Sequence, residues 1–246
     1  MDKTTFLRSL LPAAVLVGIT IAPLAGQAAP ATETRAVPEF TAIATSGSMA
    51  LQISQGVVAS VQVTADDKVL SHVVTVVEAG RFGPTLHIRM KREGWGWGWG
   101  GSHHSGAIKV VVVTPRLTGV ASSGAGDIRI DAMQTPALQL ALSGSGNAGL
   151  AGLNTDELGI SIAGSGDVRA DGRSARLNVS IAGSGDVRLA DLRSDEVTVK
   201  IAGSGDAVVQ AQKTLSVSIA GSGDVVYSGD ATVKKSVAGS GTVSKR

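Results

Sequence analysis

Residues 164–186 of the chain read GSGDVRADGRSARLNVSIAGSGD, which is one complete repeat followed by the start of the next. The segment begins and ends with Gly-Ser-Gly-Asp, and apolar and polar residues alternate before the second copy. Val179 and Ile181 therefore share one face of a strand, while Ser180 and Ala182 share the other. This alternation with a period of two excludes a helix and predicts a strand that ends at a tight glycine corner.

The glycine corner recurs along the second half of the chain. Its copies begin at Gly124, Gly144, Gly164, Gly183, Gly203, Gly221 and Gly239. The successive spacings, taken from those positions, are 20, 20, 19, 20, 18 and 18 residues. Such a period is too short for helical repeats and suits one turn of a parallel β-helix, whose turns stack about 4.8 Å apart. The sequence therefore predicts an all-β fold with a repeat β-helix over residues 119–246.

The region before the repeats, residues 39–118, is rich in β-branched residues but lacks the tight period. Several short alternating runs in it predict strands. Two organisations fit this pattern: a separate β domain, or irregular early turns of the same solenoid.

The N-terminus has the pattern of a secretory signal over residues 1–28. Lys3 and Arg8 precede an apolar stretch at 10–24, and small residues follow it. An uncleaved membrane anchor is the alternative. Residues 29–38 are rich in Pro and Ala and predict a flexible linker. We therefore expect an exported protein, located in the periplasm or at the cell surface, with no transmembrane span in the mature chain.

Composition argues against several classes of function. The net charge is +2, which offers no electrostatic case for nucleic acid. The chain has no cysteine, so it forms no disulfide and carries no thiol nucleophile. Its acidic residues fall mostly one per repeat in similar surroundings, whereas a glycosidase needs converging carboxylates. The sequence predicts a protein that is not an enzyme and needs no cofactor, and it leaves a homo-oligomer open.

The acidic residue after each corner predicts a column along the solenoid, formed in order by Asp127, Asn147, Asp167, Asp186, Asp206 and Asp224. Arg129, Arg169 and Arg188 follow two residues later and point to the same side of the sheet. In one interpretation the carboxylates accept backbone N–H groups and the arginines offset the stacked charge. In the other, the aspartates of this column (Asp127, Asp167, Asp186, Asp206 and Asp224) bind calcium.

A glycine-rich loop over residues 94–106 contains every tryptophan of the chain, Trp95, Trp97 and Trp99, and also His103 and His104. Glycine between the rings prevents an ordinary core stripe. Three interpretations remain: a low-complexity insertion, a ligand-binding tip whose Trp rings contact sugars or a membrane interface, and a metal site at the two histidines.

Several motifs together resemble the bacterial family called putative autotransporter adhesin, head domain. They are Phe40-x-x-Ile43, Ser46-Gly47-Ser48, Leu86-His87-Ile88, the strand IKVVVVTPRL at 108–117 and the corners from Gly124-Ala125-Gly126-Asp127 onward. The resemblance covers residues 39–246. It implies a right-handed parallel β-helix and an adhesive role at a surface, and it supplies no catalytic residues.

These observations predict an exported, non-catalytic β-solenoid that acts as an adhesin or cell-envelope binding protein. Its expected partner is a glycan or protein of the envelope or the extracellular space. A structural scaffold of the periplasm is the alternative, and a polysaccharide-cleaving enzyme is a third hypothesis.

Overall fold

The computed structural model describes residues 30–91 and 107–246. The predicted signal at 1–28 and the Trp-Gly loop lie outside these residues. Strands of the first half are β1 Pro30–Arg35, β2 Ala42–Ser46, β3 Met49–Gln55, β4 Ser60–Asp66, β5 Val73–Gly80, β6 Gly83–Met90, β7 Ile108–Thr114 and β8 Gly119–Gly124, with a short helix α1 at Asp67–Leu70. Strands of the second half are β9 Ile128–Asp131, β10 Gln134–Gly144, β11 Ala148–Gly164, β12 Val168–Gly183, β13 Val187–Gly203, β14 Ala207–Gly221, β15 Val225–Ser228, β16 Thr232–Gly239 and β17 Val243–Lys245.

The second half forms stacked parallel coils, which confirms the predicted β-solenoid. Strands β11 to β14 each pair in parallel with the next along nearly a whole turn. Each coil has two faces joined at the Gly-Ser-Gly corner. Face A follows the corner and contains β9, β15, β17 and the first parts of β11 to β14; face B precedes it and contains β8, β10, β16 and the last parts of β11 to β14.

The N-terminal region forms early coils of the same stack, which decides between the two organisations that the sequence left open. Strands β2 and β3 pair in parallel with β8 and β9 on one side and with β6 and β7 on the other. The coil of β2 and β3 therefore lies between two coils that come later in the chain. Antiparallel strands finish this end, with β5 beside β6 and β4 beside β7.

The prediction of a flexible linker over residues 29–38 is wrong for Pro30–Arg35. These residues form β1, which pairs antiparallel with β4 from Pro30↔Asp66 to Arg35↔Val61. The Arg35 guanidinium also donates a 2.9 Å hydrogen bond to the carbonyl of Leu70 in α1. An edge strand tolerates proline and polar residues because one of its sides needs no ladder partner, so composition alone suggested a linker here.

One continuous core runs through the described coils. Inward positions repeat from coil to coil, so that columns of similar side chains stack on one another. One such column on face B consists of Leu142, Ile162, Ile181, Ile201 and Ile219, all buried. No single coil could bury its apolar side alone, and stacking removes these side chains from water.

The corners pack backbone against backbone. The first glycine of each repeat corner has φ between +132° and +154°, a conformation that other residues rarely adopt. A Cβ on either glycine of a corner would overlap the carbonyl oxygen of the preceding corner. The Ser165 N–H and the Ser184 N–H each donate 2.9 Å hydrogen bonds to the first-glycine carbonyl one coil earlier.

Candidate binding surface on face A

The acidic column after the corners is a continuous hydrogen-bonded ladder. The Oδ1 atom of Asp167 accepts the N–H of Asp186 at 3.1 Å, and Oδ1 of Asp186 accepts the N–H of Asp206 at 3.0 Å. Asn147 takes part through its amide oxygen, which accepts the Asp167 N–H at 3.1 Å. We call this row of Asp127, Asn147, Asp167, Asp186, Asp206 and Asp224 the Asp ladder; it ends where Asp224 accepts both the N–H and the hydroxyl of Thr242.

Arginine links two rungs of the Asp ladder. The Arg188 guanidinium donates to Oδ2 of Asp167 at 2.8 Å and to Oδ2 of Asp186 at 2.9 Å. The hydrogen bond from Arg188, together with the backbone N–H of Asp186, holds the pKa of Asp167 below its ordinary value of 3.8. The predicted role of arginine in offsetting the stacked charge is therefore found at Arg188.

The other two arginines of the column behave differently. Arg129 turns toward Asp131 on its own strand, with a 2.8 Å bond from Nε to Oδ1. Arg169 makes no hydrogen bond or ion pair within residues 30–91 and 107–246. Arg169 is exposed, and its positive charge contributes to the lowered pKa of Asp167.

A shallow groove lies beside the Asp ladder on face A. It has a volume of about 490 Å³. Its walls include Arg129, Gly149, Arg169, Asp171, Arg188 and Asp191. Gly149 lies in register with Arg129 on one side and Arg169 on the other, so the arginine column is interrupted by a position without a side chain.

Of the candidate metal ligands, the aspartates form one row in the structure, whereas the two histidines lie outside the described residues. Within the described ranges, no three His, Cys, Asp or Glu side chains lie close enough together to hold a metal ion. In the ladder one carboxylate oxygen of each aspartate already accepts a backbone N–H. Calcium binding by Asp127, Asp167, Asp186, Asp206 and Asp224 stays a prediction, as does metal binding by His103 and His104, which lie outside the described residues.

The ligand-binding prediction for Trp95, Trp97 and Trp99 also concerns residues outside the described ranges. The described chain breaks off at Lys91 and resumes at Ala107. Strands β6 and β7, which flank this break, pair with β2 and β3.

A row of inward hydroxyl groups at the second corner of the coils escaped the sequence reasoning. Thr114, Thr155 and Ser174 are buried, and each donates a hydrogen bond to the carbonyl of the residue two positions later, at 3.0, 3.0 and 2.7 Å. The signal was present as a Thr or Ser at the same place in successive repeats. These hydroxyls close the second corner and face away from the groove.

The family described as "Putative auto-transporter adhesin, head GIN domain" matches residues 39–231. The chain belongs to this family. The match confirms the resemblance drawn from the corners and the 108–117 strand. No curated protein matches the chain.

Solved structures share the fold of this GIN domain. A putative adhesin from Bacteroides fragilis NCTC 9343 aligns with a TM-score of 0.78 and 22% identity, covering 89% of this chain and 98% of that one. A putative lipid binding protein from Parabacteroides distasonis ATCC 8503 aligns with a TM-score of 0.69 and 26% identity, covering 88% and 96%. A putative adhesin from Parabacteroides merdae ATCC 43184 gives 0.67 and 22%, covering 90% and 98%.

Within residues 30–91 and 107–246, no helix is long and apolar enough to span a bilayer.

Proposed function

We propose that the chain is an exported, non-catalytic adhesin that binds a polymer of the cell envelope or the extracellular space through the outside of its solenoid. The observation that supports this most is the Asp ladder with its adjoining groove. It presents Asp, Asn and Arg side chains at the coil spacing of about 4.8 Å, on a backbone whose rungs are hydrogen-bonded to one another. A regular, rigid array of this kind suits a ligand that is itself a repeating chain.

The proposed absence of catalysis rests on how the acidic groups are used. Cleavage of a glycan requires one carboxylic acid and one carboxylate placed on opposite sides of a bond. The ladder carboxylates instead point along one row, and each bonds the backbone of its neighbour. The family name and the names of the Bacteroides fragilis and Parabacteroides merdae neighbours are those of putative adhesins, which agrees with a binding role.

Two measurements test the proposal together. The full-length chain is expressed in a bacterial host and located by fractionation and by protease digestion of intact cells. The exported protein is then tested for saturable binding to intact cells and to envelope polymer fractions. Surface exposure with saturable binding supports the proposal, whereas retention in the periplasm without saturable binding overturns it and favours a structural scaffold.

The tryptophan loop enters the same experiment as a separate variant. We propose that Trp95, Trp97 and Trp99 contribute to ligand contact, because tryptophan rings offer a large contact area. The triple variant to alanine should therefore bind cells and envelope fractions less tightly than the wild type. Equal binding by the variant would remove the loop from the proposal and leave the binding role to face A.

A further inference from the structure

Neither the backbone conformation nor the packing at position 149 requires the glycine that is found there. Gly149 lies inside β11, and its φ is not positive. A Cβ added to it would meet no heavy atom within 4 Å. Among the glycines of the described residues, every other one has either a positive φ or a neighbour that a Cβ would contact. Glycine weakens a strand interior, and where packing does not demand it, it often marks a place that a ligand approaches closely.

Because Gly149 has no side chain, it leaves a gap in a row of guanidinium groups, and we call this gap the notch. Arg129 lies one coil below it and Arg169 one coil above, with Arg188 on the next coil. With no side chain at 149, the space between Arg129 and Arg169 opens onto the strand backbone. This space belongs to the groove of about 490 Å³ on face A.

Carboxylates around the notch offset the positive charges of its arginines. Arg129 is paired with Asp131, and Arg188 is paired with both Asp167 and Asp186. Asp171 and Asp191 also line the groove. Arg169 is the one arginine of the groove with neither hydrogen bond nor ion pair in the described part of the chain. A strong polyanion would need an excess of cationic side chains here, and the acidic residues remove that excess.

Sugar hydroxyl groups match such a mixed surface. A hydroxyl both donates and accepts a hydrogen bond, so it can accept from a guanidinium and donate to a carboxylate. Arg169 offers a planar set of unused N–H donors, and Asp171 offers acceptor capacity beyond the 2.7 Å bond that its Oδ1 accepts from the Gly152 N–H. The glycine floor lets a ring approach the strand closely.

We propose that the notch over Gly149 is a glycan-binding subsite, in which Arg169 donates to a sugar hydroxyl or ring oxygen and Asp171 accepts from a neighbouring hydroxyl. This inference rests on the proposed function and names its ligand class and its site. The sugar ring lies between Arg129 and Arg169, and the chain of the glycan follows the groove along the stack.

Two substitutions separate binding from folding. Gly149→Thr fills the notch with a side chain that favours strands, so the melting temperature should stay the same or rise. Arg169→Ala removes the donor without breaking a hydrogen bond or ion pair to any described residue. Arg176→Ala is the matched control, because Arg176 is an exposed arginine of face B with a single 3.4 Å ion pair to Glu157.

The probe is a microarray of neutral and uronic-acid-containing glycans, with anionic lipid vesicles and heparin as further probes. The wild type and Arg176→Ala should bind the same glycans. Both variants should bind them roughly tenfold more weakly or worse, because Gly149→Thr occupies the notch and Arg169→Ala loses a charge-assisted hydrogen bond. Comparing neutral glycans with uronic-acid-containing glycans shows whether Arg169 hydrogen-bonds a hydroxyl group or a carboxylate.

Other results overturn the inference in distinguishable ways. Glycan binding that survives both substitutions places the sugar elsewhere and leaves the adhesin proposal intact. Binding only to the sulfated polyanion heparin or to anionic vesicles shows that recognition depends on negative charge and not on sugar hydroxyls. Binding to intact cells without any glycan shows that the ligand class is wrong. If neither cells nor envelope fractions nor glycans bind, the proposed function fails as well.

Discussion

At the scale of single residues, the side chains of the Asp ladder accept hydrogen bonds from the backbone of the next coil. The aspartates among them are the same residues that the sequence suggested as calcium ligands. Each rung uses one side-chain oxygen to accept the N–H of the next rung, and the second carboxylate oxygens of Asp167 and Asp186 accept hydrogen bonds from Arg188. Asn147 does the same with an amide, which shows that the acceptor oxygen matters more than the negative charge. The ladder thus joins consecutive coils on the outside, where the apolar core cannot.

Substitutions at Asp206 test this role. Oδ1 of Asp206 accepts the Asp224 N–H at 2.8 Å. Asp206→Ala should lower the free energy of unfolding by about 1 kcal/mol, since the rung loses its acceptor but solvent can reach the N–H. Asp206→Asn should stay close to the wild type because the amide oxygen replaces the carboxylate. Denaturant unfolding measures both, and an alanine variant as stable as the asparagine variant would contradict the ladder's contribution.

Asp167 makes stability depend on pH in a predictable direction. Its folded pKa lies below the ordinary value of 3.8, mainly because Arg188 hydrogen-bonds the ionised carboxylate. The contribution of the ionised form is therefore complete above that ordinary value and is lost as pH falls through the lower folded value. Melting temperatures of the wild type should decline with acidification in this window, and Asp167→Asn should reduce the decline.

The control for this measurement is Asp156→Asn, which changes an exposed carboxylate without a hydrogen bond or ion pair among the described residues. Scans from about pH 2 to about pH 6 cover the transition. An acid decline that is equally steep in Asp167→Asn and Asp156→Asn would assign the effect to other carboxylates.

At the scale of elements, the corner and the strand that precedes it form one unit. The first glycine is needed for its positive φ, whereas the second is needed because the corners approach one another so closely. Changes in repeat length from 20 to 18 residues are absorbed elsewhere: the register between neighbouring coils shifts near Leu150, Asp171 and Leu189, at the second corner. The Gly-Ser-Gly corners stay in register throughout.

Gly185→Ala tests the close approach without changing a left-handed residue. The new Cβ would overlap the carbonyl oxygen of Gly166 and lie 3.0 Å from Cγ2 of Ile162. The free energy of unfolding should fall by about 3 kcal/mol, since neither the corner backbone nor the buried isoleucine can move freely. Gly149→Ala is the control and should be neutral or stabilising by about 0.5 kcal/mol. Equal stabilities would show that the corners can separate at little cost.

The sequence predicted those elements whose position depends on a local pattern of residues. Alternation and corner spacing predicted the strands of the repeats, the inward columns and the acidic row. The order of the early coils was not predictable, because nothing local indicates that β2 and β3 insert between β6–β7 and β8–β9. Strand β1 was missed because its residues are mostly polar and its nearest partner pair, Arg35 opposite Val61, is 26 residues apart in sequence. The notch at Gly149 needed the register between coils, which only the structure shows.

At the scale of the whole molecule, the two ends of the stack differ. The N-terminal end is finished by antiparallel strands and by α1, whose Val69 and Leu70 are buried. The C-terminal end consists of β16 and β17, which pair only with β14 and β15 among the described strands. Their outer edges carry unpaired backbone groups, and Val237 is 40% exposed. An open strand edge over an apolar core invites association with another chain.

Lys235 is placed to oppose such association. It lies in register with Val217, whose side chain is buried in the core, so it occupies an inward position of the final coil. A charged group there must be stripped of water before another coil can stack on this end. Lys234, its neighbour, lies in register with the exposed Ser216 on the outer surface. The two lysines therefore carry the same charge on opposite sides of one strand.

Comparing Lys235→Val with Lys234→Val isolates the inward position from the net charge, because each variant loses one positive charge. Lys235→Val should self-associate more strongly than the wild type as concentration rises in sedimentation velocity, since it completes an apolar column on an open edge. Lys234→Val should behave nearly like the wild type, because the added methyl groups lie away from the core. If both variants associate equally, overall charge protects this end; if neither does, the unpaired edges are blocked by something other than Lys235.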